Sequence, residues 1–248
     1  SITSSEWAVF DDEDLILLDD NFSTIVDTIK DGRRIYDNIR KAVGYVFTIH
    51  IPIAFAALLA PFLNIKPASL LLLPLHVVLL ELIIDPTCSL VLERQPAEHN
   101  IMERTPRNPQ EKIVTVEILV KSILQGLAIF AASFGTYLTF LQQNPSNAAL
   151  ARTMGLSIIV LANLFLVQVN SSNSDFVGAS MVRLAKDKVM WGVSAGTVAG
   201  LLLILYTPLC GFLKLAPLSV SQFFFAVGIA AVSVLWYEVV KLIIRIKG

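Results

Sequence analysis

Residues 70–92 read LLLLPLHVVLLELIIDPTCSLVL. A helix needs about 20 mostly apolar residues to cross a bilayer, and this run has them. It also carries two acids, Glu81 and Asp85. A carboxylate at the centre of a spanning helix costs about 2.5–3.5 kcal/mol on insertion scales, so acids inside such segments mark function by default. Four residues apart, the two share one helix face. Both ionised, they would repel each other. A cation held between them removes both penalties. Pro86 follows Asp85 directly. Proline lacks a backbone N–H and disfavours helix at the residue before it, which predicts a break at Asp85 with freed carbonyls as further ligands. Oxygen ligands suit hard cations such as calcium, magnesium or manganese.

Five more stretches are long and apolar enough to span. They run roughly Val43–Leu63, Ile118–Leu141, Ala148–Val169, Val189–Leu213 and Phe223–Ile244. The chain is 55% hydrophobic and only 16% charged, with a mean hydropathy of +0.68. Soluble domains run about 25% charged. The expected fold is therefore an all-α polytopic membrane protein, a six-helix bundle over residues 43–248. Membrane lipid is its surroundings, and no basic patch points to nucleic acid. Cys88 and Cys210 form neither a disulfide framework nor a zinc pattern. Basic residues concentrate in alternate loops and their flanks: Lys30, Arg33, Arg34, Arg40 and Lys41, then Arg94, Arg104, Arg107, Lys112 and Lys121, then Arg183, Lys186 and Lys188, then Lys241, Arg245 and Lys247. The opposite loops hold only Lys66, Arg152 and Lys214. By the positive-inside rule both termini are expected on the cytoplasmic side.

The first span contributes His50 and Pro52. Pro52 is a second expected break that brings carbonyls toward the site. His50 is a candidate ligand, proton acceptor or neutral hydrogen-bonding group. His76 lies more than a turn before Glu81, and Asn163 is the main polar residue of the fourth span, followed by Gln168; His76 and Asn163 both suit a structural role. The plain alternative for Glu81 and Asp85 is helix packing without transport.

Residues 1–42 differ from the rest. Asp14–Leu18 reads as a short buried strand, Asp19–Asn21 as a turn, and Asn21 or Ser23 as a helix cap. From Thr24 the apolar positions Ile25, Val26, Ile29, Ile35 and Ile39 recur at helical spacing among charges. This predicts a stalk helix over 23–42 that runs straight into the first span. A lone strand needs partners, so residues 1–22 read as the remnant of a larger α/β cytoplasmic domain.

Two runs resemble the carboxyl-terminal portion of P-type cation-transporting ATPases. DLILLDDNFSTIVDTIKDGRRIYDNIRKAVGY, from Asp14, looks like the end of that family's phosphorylation domain and its stalk. HNIMERTPRNPQEKIV, from His99, looks like the cytoplasmic loop after the sixth transmembrane helix, with its Met-x-Arg-x-Pro-Arg signature. The six spans would then be transmembrane helices five to ten. The resemblance places His50 where sarcoplasmic-type calcium pumps have an Asn ligand, and Ile53 where they have a Glu. Glu81 and Asp85 fall on an Asn and an Asp of the sixth helix. Ile84 replaces a Thr ligand, and Asn163 stands for a Glu of the eighth helix. One of two calcium sites is thus implied to be dismantled and the other retained, with Glu81, Asp85, His50 and Asn163 as metal candidates. The HIP and ELIIDP sequences are most similar to bacterial members, which implies a bacterial plasma membrane.

The family's DKTGT, TGES and GDGxND motifs do not occur in this sequence. The resemblance therefore implies ATP and magnesium chemistry only in an intact parent, whose amino-terminal domains act in cis or in trans. This chain alone is not expected to hydrolyse ATP. The expected function is transport of a cation, a divalent ion such as calcium, as the membrane part of an ATP-driven pump. The alternatives are a non-catalytic fragment or scaffold subunit, part of a proton or sodium pump, and a passive channel or secondary transporter.

Overall fold

The computed structural model describes residues 22–98, 100–105, 112–171 and 187–247, and among these there are helices and no strands. The strand expected at 14–18 and its turn lie outside them, as does all of the soluble remnant except Phe22.

The first helix, α1, is Phe22–Phe62, 41 residues without interruption. At 1.5 Å per residue it is about 61 Å long, twice the ~30 Å of a hydrocarbon core. Its charged first half therefore projects from the bilayer as the stalk, and its apolar second half spans. Apolar stalk positions Val26, Ile29, Ile35 and Ile39 are all exposed. The break expected at Pro52 does not occur, since α1 runs through both Pro52 and Pro61. One proline removes one ladder bond, and packing within the bundle retains the helix. The chain leaves α1 at Asn64, which adopts the left-handed region (φ 52°) while Ile65 N donates to Ala60 O at 3.0 Å.

A single 3₁₀ turn at Pro67–Ser69 leads to α2, Pro74–Thr87. The second span was expected as one helix from Leu70, but Pro74 occupies the first helical turn, where its missing N–H costs nothing. Pro86 does not break α2 either. The helix passes through it and then widens into a π segment, Cys88–Leu92. Helix α3 is Val116–Gln143, capped by Thr115, and α4 is Ala148–Asn170, capped by Asn147. Helix α5 is Lys188–Tyr206, with Asp187 accepting from Val189 N and Met190 N. Its expected end at Leu213 is corrected to Tyr206, because Pro208 starts a separate short helix, α6, Leu209–Phe212. Helix α7, Val220–Lys247, opens with a reciprocal Ser219–Gln222 cap.

The centre of the bundle is α4, buried along nearly its whole length. Small residues let its neighbours approach closely. A Cβ on Gly126 of α3 would lie 2.7 Å from the Thr48 carbonyl of α1, and one on Gly155 of α4 would lie 2.4 Å from Leu71 Cδ1. At the end distal to the stalk, the buried Arg152 guanidinium donates to the carbonyls of Leu70 (2.8 Å), Ala68 (2.7 Å) and Lys214 (2.6 Å). It thereby ties two distal loops to α4.

At the stalk end, the segment after α2 folds back on α1. Lys41 Nζ lies 2.8 Å from Glu98 Oε1, with both side chains at most 4% exposed. Arg104 bridges Glu98 (2.7 Å) and Asp37 (2.6 Å). Asn38 Nδ2 donates to the carbonyls of Glu93 (3.0 Å) and Gln95 (2.7 Å). Arg33 donates to those of Ile101 (2.8 Å) and Arg104 (2.9 Å).

Candidate functional site

The residues expected to share a site come from three helices: His50 from α1, Glu81 and Asp85 from α2, and Asn163 from α4. The structure joins only one pair directly. His50 Nε2 lies 3.1 Å from Glu81 Oε1, and both side chains are partly exposed, at 44% and 37%. The other ring nitrogen, Nδ1, lies 2.7 Å from the Val46 carbonyl one turn back. A carbonyl can only accept, so Nδ1 carries the hydrogen. The His50–Glu81 contact then needs one more proton. It sits either on Nε2, facing a carboxylate, or on Glu81, facing a neutral ring. Both arrangements leave the pair without net charge.

Asp85 is one turn beyond Glu81 and exposed. Its carboxylate has no hydrogen bond or ion pair to another described residue. It belongs to the open face of α2 with Val78 and Leu82, which are 65% and 71% exposed. Among the described residues, no three His, Cys, Asp or Glu side chains converge into a cluster able to hold a metal ion. The site is thus half-built: two acids one turn apart, one held by a histidine and one with a free carboxylate.

The carbonyl that Pro52 frees, that of Thr48, does not turn toward this pair. It faces Gly126 of α3. Thr48 and His50 are two residues apart, about 200° around α1, so the freed carbonyl and the imidazole lie on opposite sides of the helix.

Asn163 pairs with Tyr45 and with neither acid. It is 2% exposed, and its Oδ1 accepts a hydrogen bond from the Tyr45 hydroxyl. Its Nδ2 is buried with no partner among the described residues. The Thr87 hydroxyl neighbours the same phenol and donates to Ile83 O at 2.6 Å. Tyr45 and Thr87 were not among the sequence candidates. The signal for Tyr45 was present: a tyrosine inside an apolar span must find a partner for its hydroxyl. His76 has the structural role expected of it. It is fully buried, accepts from Leu73 N at 3.2 Å and donates to the Leu213 carbonyl at 2.7 Å. Both ring nitrogens are satisfied, and the ring is neutral by geometry alone.

Among the described residues, six helices are long and apolar enough to cross a membrane. Residues 69–243 match the family described as "Cation transporting ATPase, C-terminus". Among curated relatives, the chain is 28% identical over 218 residues to the calcium-transporting ATPase of Bacillus subtilis, covering 88% of this chain and 24% of that protein. It is 29% identical over 166 residues to the cation-transporting ATPase pma1 of Synechocystis, covering 66% of this chain and 18% of the relative. It is 37% identical over 136 residues to the bovine sodium/potassium-transporting ATPase subunit alpha-2, covering 53% of this chain and 13% of the relative. The chain therefore spans at most about a quarter of the length of these relatives.

Proposed function

We propose, from the premise that this chain belongs to the cation-transporting ATPase C-terminal family and is an integral membrane protein, that it forms the ion-carrying membrane part of an ATP-driven pump. The observation that carries the reading is the pair of acids one turn apart on α2, one of them free of any partner among the described residues. The transported cation is the substrate of this site. Glu81 and Asp85 bind it, His50 holds Glu81 in place while the site is empty, and Asn163 orders the adjoining layer through Tyr45. Two carboxylates suit a divalent ion, and the name of the Bacillus subtilis relative favours calcium.

The open faces fit the same reading. Asp85 exposed to hydrocarbon is costly, and apolar stalk positions exposed to water are unfavourable. Both are relieved if the remainder of such a pump, acting in cis or in trans, covers α2 and the stalk. That remainder would supply ATP hydrolysis, and α1 would carry its motion to His50. The termini of this part lie on the cytoplasmic side of a bacterial plasma membrane, by the loop charges and the likeness to bacterial pumps.

The decisive experiment uses the full-length parent. Asp85→Asn is expected to abolish cation-stimulated ATPase activity while basal folding and membrane insertion persist. Wild-type activity with unchanged ion affinity would sink the assignment.

A further inference from the structure

The end of the bundle away from the stalk is formed by residues 61–76, 137–156 and 206–222. These segments hold Lys66, Arg152, Lys214 and His76, and no Asp or Glu. Lys66 and Lys214 are exposed, whereas Arg152 and His76 are buried. His76 is thus a titratable side chain, 0% exposed, at an end of the molecule whose own charges are all positive.

Its ring ties the first turn of α2 to the turn after α6. That second turn is fixed in place. Lys214 takes the left-handed region there (φ 53°), Leu215 N donates to Cys210 O at 2.9 Å, and Ala216 N donates to Thr153 Oγ1 of α4 at 2.9 Å. His76 Nε2 donates to the Leu213 carbonyl of this turn at 2.7 Å. On the other side, the first N–H groups of α2 have no partner within the helix. Pro74 has no N–H to satisfy. The N–H of Leu73, just before it, donates to His76 Nδ1 at 3.2 Å.

Proton uptake and this tie exclude each other. Nε2 already carries a hydrogen, because a carbonyl only accepts. A second proton can go only to Nδ1, on the lone pair that Leu73 N uses. Two N–H groups then face each other, and Leu73 N loses its acceptor. No anion offsets the added charge. From α4 the Arg152 guanidinium acts on the ring. The Tyr137 hydroxyl of α3 is engaged with the Ser69 carbonyl. On α2 the nearest acid is Glu81, five residues on, and it is held by His50 at 3.1 Å. The ring therefore takes its proton only when it has left Leu73.

We infer that His76 is an acid-sensitive latch at the distal end of the bundle. Neutral, it holds the first turn of α2 to the turn after α6; protonated, it releases Leu73 and loosens that first turn. Acid on this side acts on the start of the helix that carries Glu81, and it does so whether or not Glu81 binds an ion.

The size of the effect follows from linkage. An imidazole released to water titrates near its ordinary value of about 6.5, so below that pH the opened population grows by up to about tenfold per unit. Between pH 7.5 and pH 4.5 the rise is about ninetyfold. The full chain in detergent is followed by amide hydrogen exchange, read by mass spectrometry over residues 68–76 and corrected for the intrinsic rate at each pH. Residues 148–154 of α4 are the reference within the same molecule. Opening of 68–76 relative to the reference is expected to rise as stated. His76→Asn offers Leu73 N an acceptor that does not titrate, so its relative exchange should be flat over this range. That variant keeps the His50–Glu81 pair, and a rise that persists in it belongs to the pair and overturns the proposal. Unchanged relative exchange of 68–76 in the parent chain overturns it without any variant.

Discussion

Glu98→Gln tests how the stalk is held to the rest of the bundle. The substitution keeps the shape of the side chain and removes only its charge. Lys41 then stays beneath the surface, its side chain 3% exposed, without the carboxylate now 2.8 Å away. Breaking a buried pair by deleting one partner costs about 3–5 kcal/mol, because the remaining charge has no compensation. Arg104 adds little. It is 38% exposed and keeps Asp37 at 2.6 Å and Asn100 at 2.9 Å, so its share is at most about 1 kcal/mol. At about 2–4 °C per kcal/mol for a chain of this size, the unfolding midpoint should fall by roughly 6–20 °C. A thiol-reactive dye reads that midpoint through Cys88 and Cys210 in detergent. Burial pushes the Cys210 thiol up, so its thiolate is scarce until the fold opens. The paired replacement Lys41→Met with Glu98→Leu should recover most of the loss, since an apolar pair removes the stranded charge. A Glu98→Gln midpoint within about 2 °C of the parent, or a double variant as unstable as the two singles combined, would refute the reasoning.

Two further substitutions probe the bundle itself. Tyr45→Phe removes the donor to Asn163 and leaves both polar ends of a buried amide without a protein partner, which should cost about 1–3 kcal/mol in the same dye assay. Gly126→Ala places a Cβ 2.7 Å from the Thr48 carbonyl, which is backbone and cannot rotate away, so α1 and α3 must separate. A cost toward the upper part of the 1–3 kcal/mol range for overpacking is expected, again as a lowered midpoint.

Much of this architecture was legible because hydrocarbon imposes a simple code. Twenty apolar residues must become a helix, and each of the six expected stretches contains one. The stalk was legible from its 3.6-residue period, and its continuity into the first span follows from the lack of any cap between Lys41 and Val43. The prolines were not legible. Pro52 and Pro86 were expected to break helices and did not, whereas Pro74 and Pro208 mark where α2 begins and α5 has finished. The difference is position: Pro74 lies in a first helical turn and Pro208 at a helix N-cap, where a missing N–H costs nothing, whereas Pro52 and Pro86 lie inside helices that continue past one lost ladder bond. At the site, the shared face of Glu81 and Asp85 follows from spacing alone. The His50 contact does not, because it depends on how α1 and α2 are rotated against each other. Nor does the pairing of Asn163 with Tyr45, which spans 118 positions of sequence.

These contacts tie α1 to α2 and its continuation at two levels. One is His50 with Glu81, inside the bundle. The other is Asn38 with the carbonyls of Glu93 and Gln95, reinforced by Lys41 with Glu98, at the stalk. On α1 the two levels are separated by about 13 Å of unbroken helix, from Lys41 to His50. On the other strand of this ladder lie Asp85, Pro86 and the π segment at Cys88–Leu92, where the backbone ladder is weakest. A displacement of the stalk along its axis therefore cannot be absorbed within α1. It passes through both ties, and the compliant stretch between them is the one that carries Asp85. The free acid lies between the two ties, directly before Pro86 and the π segment.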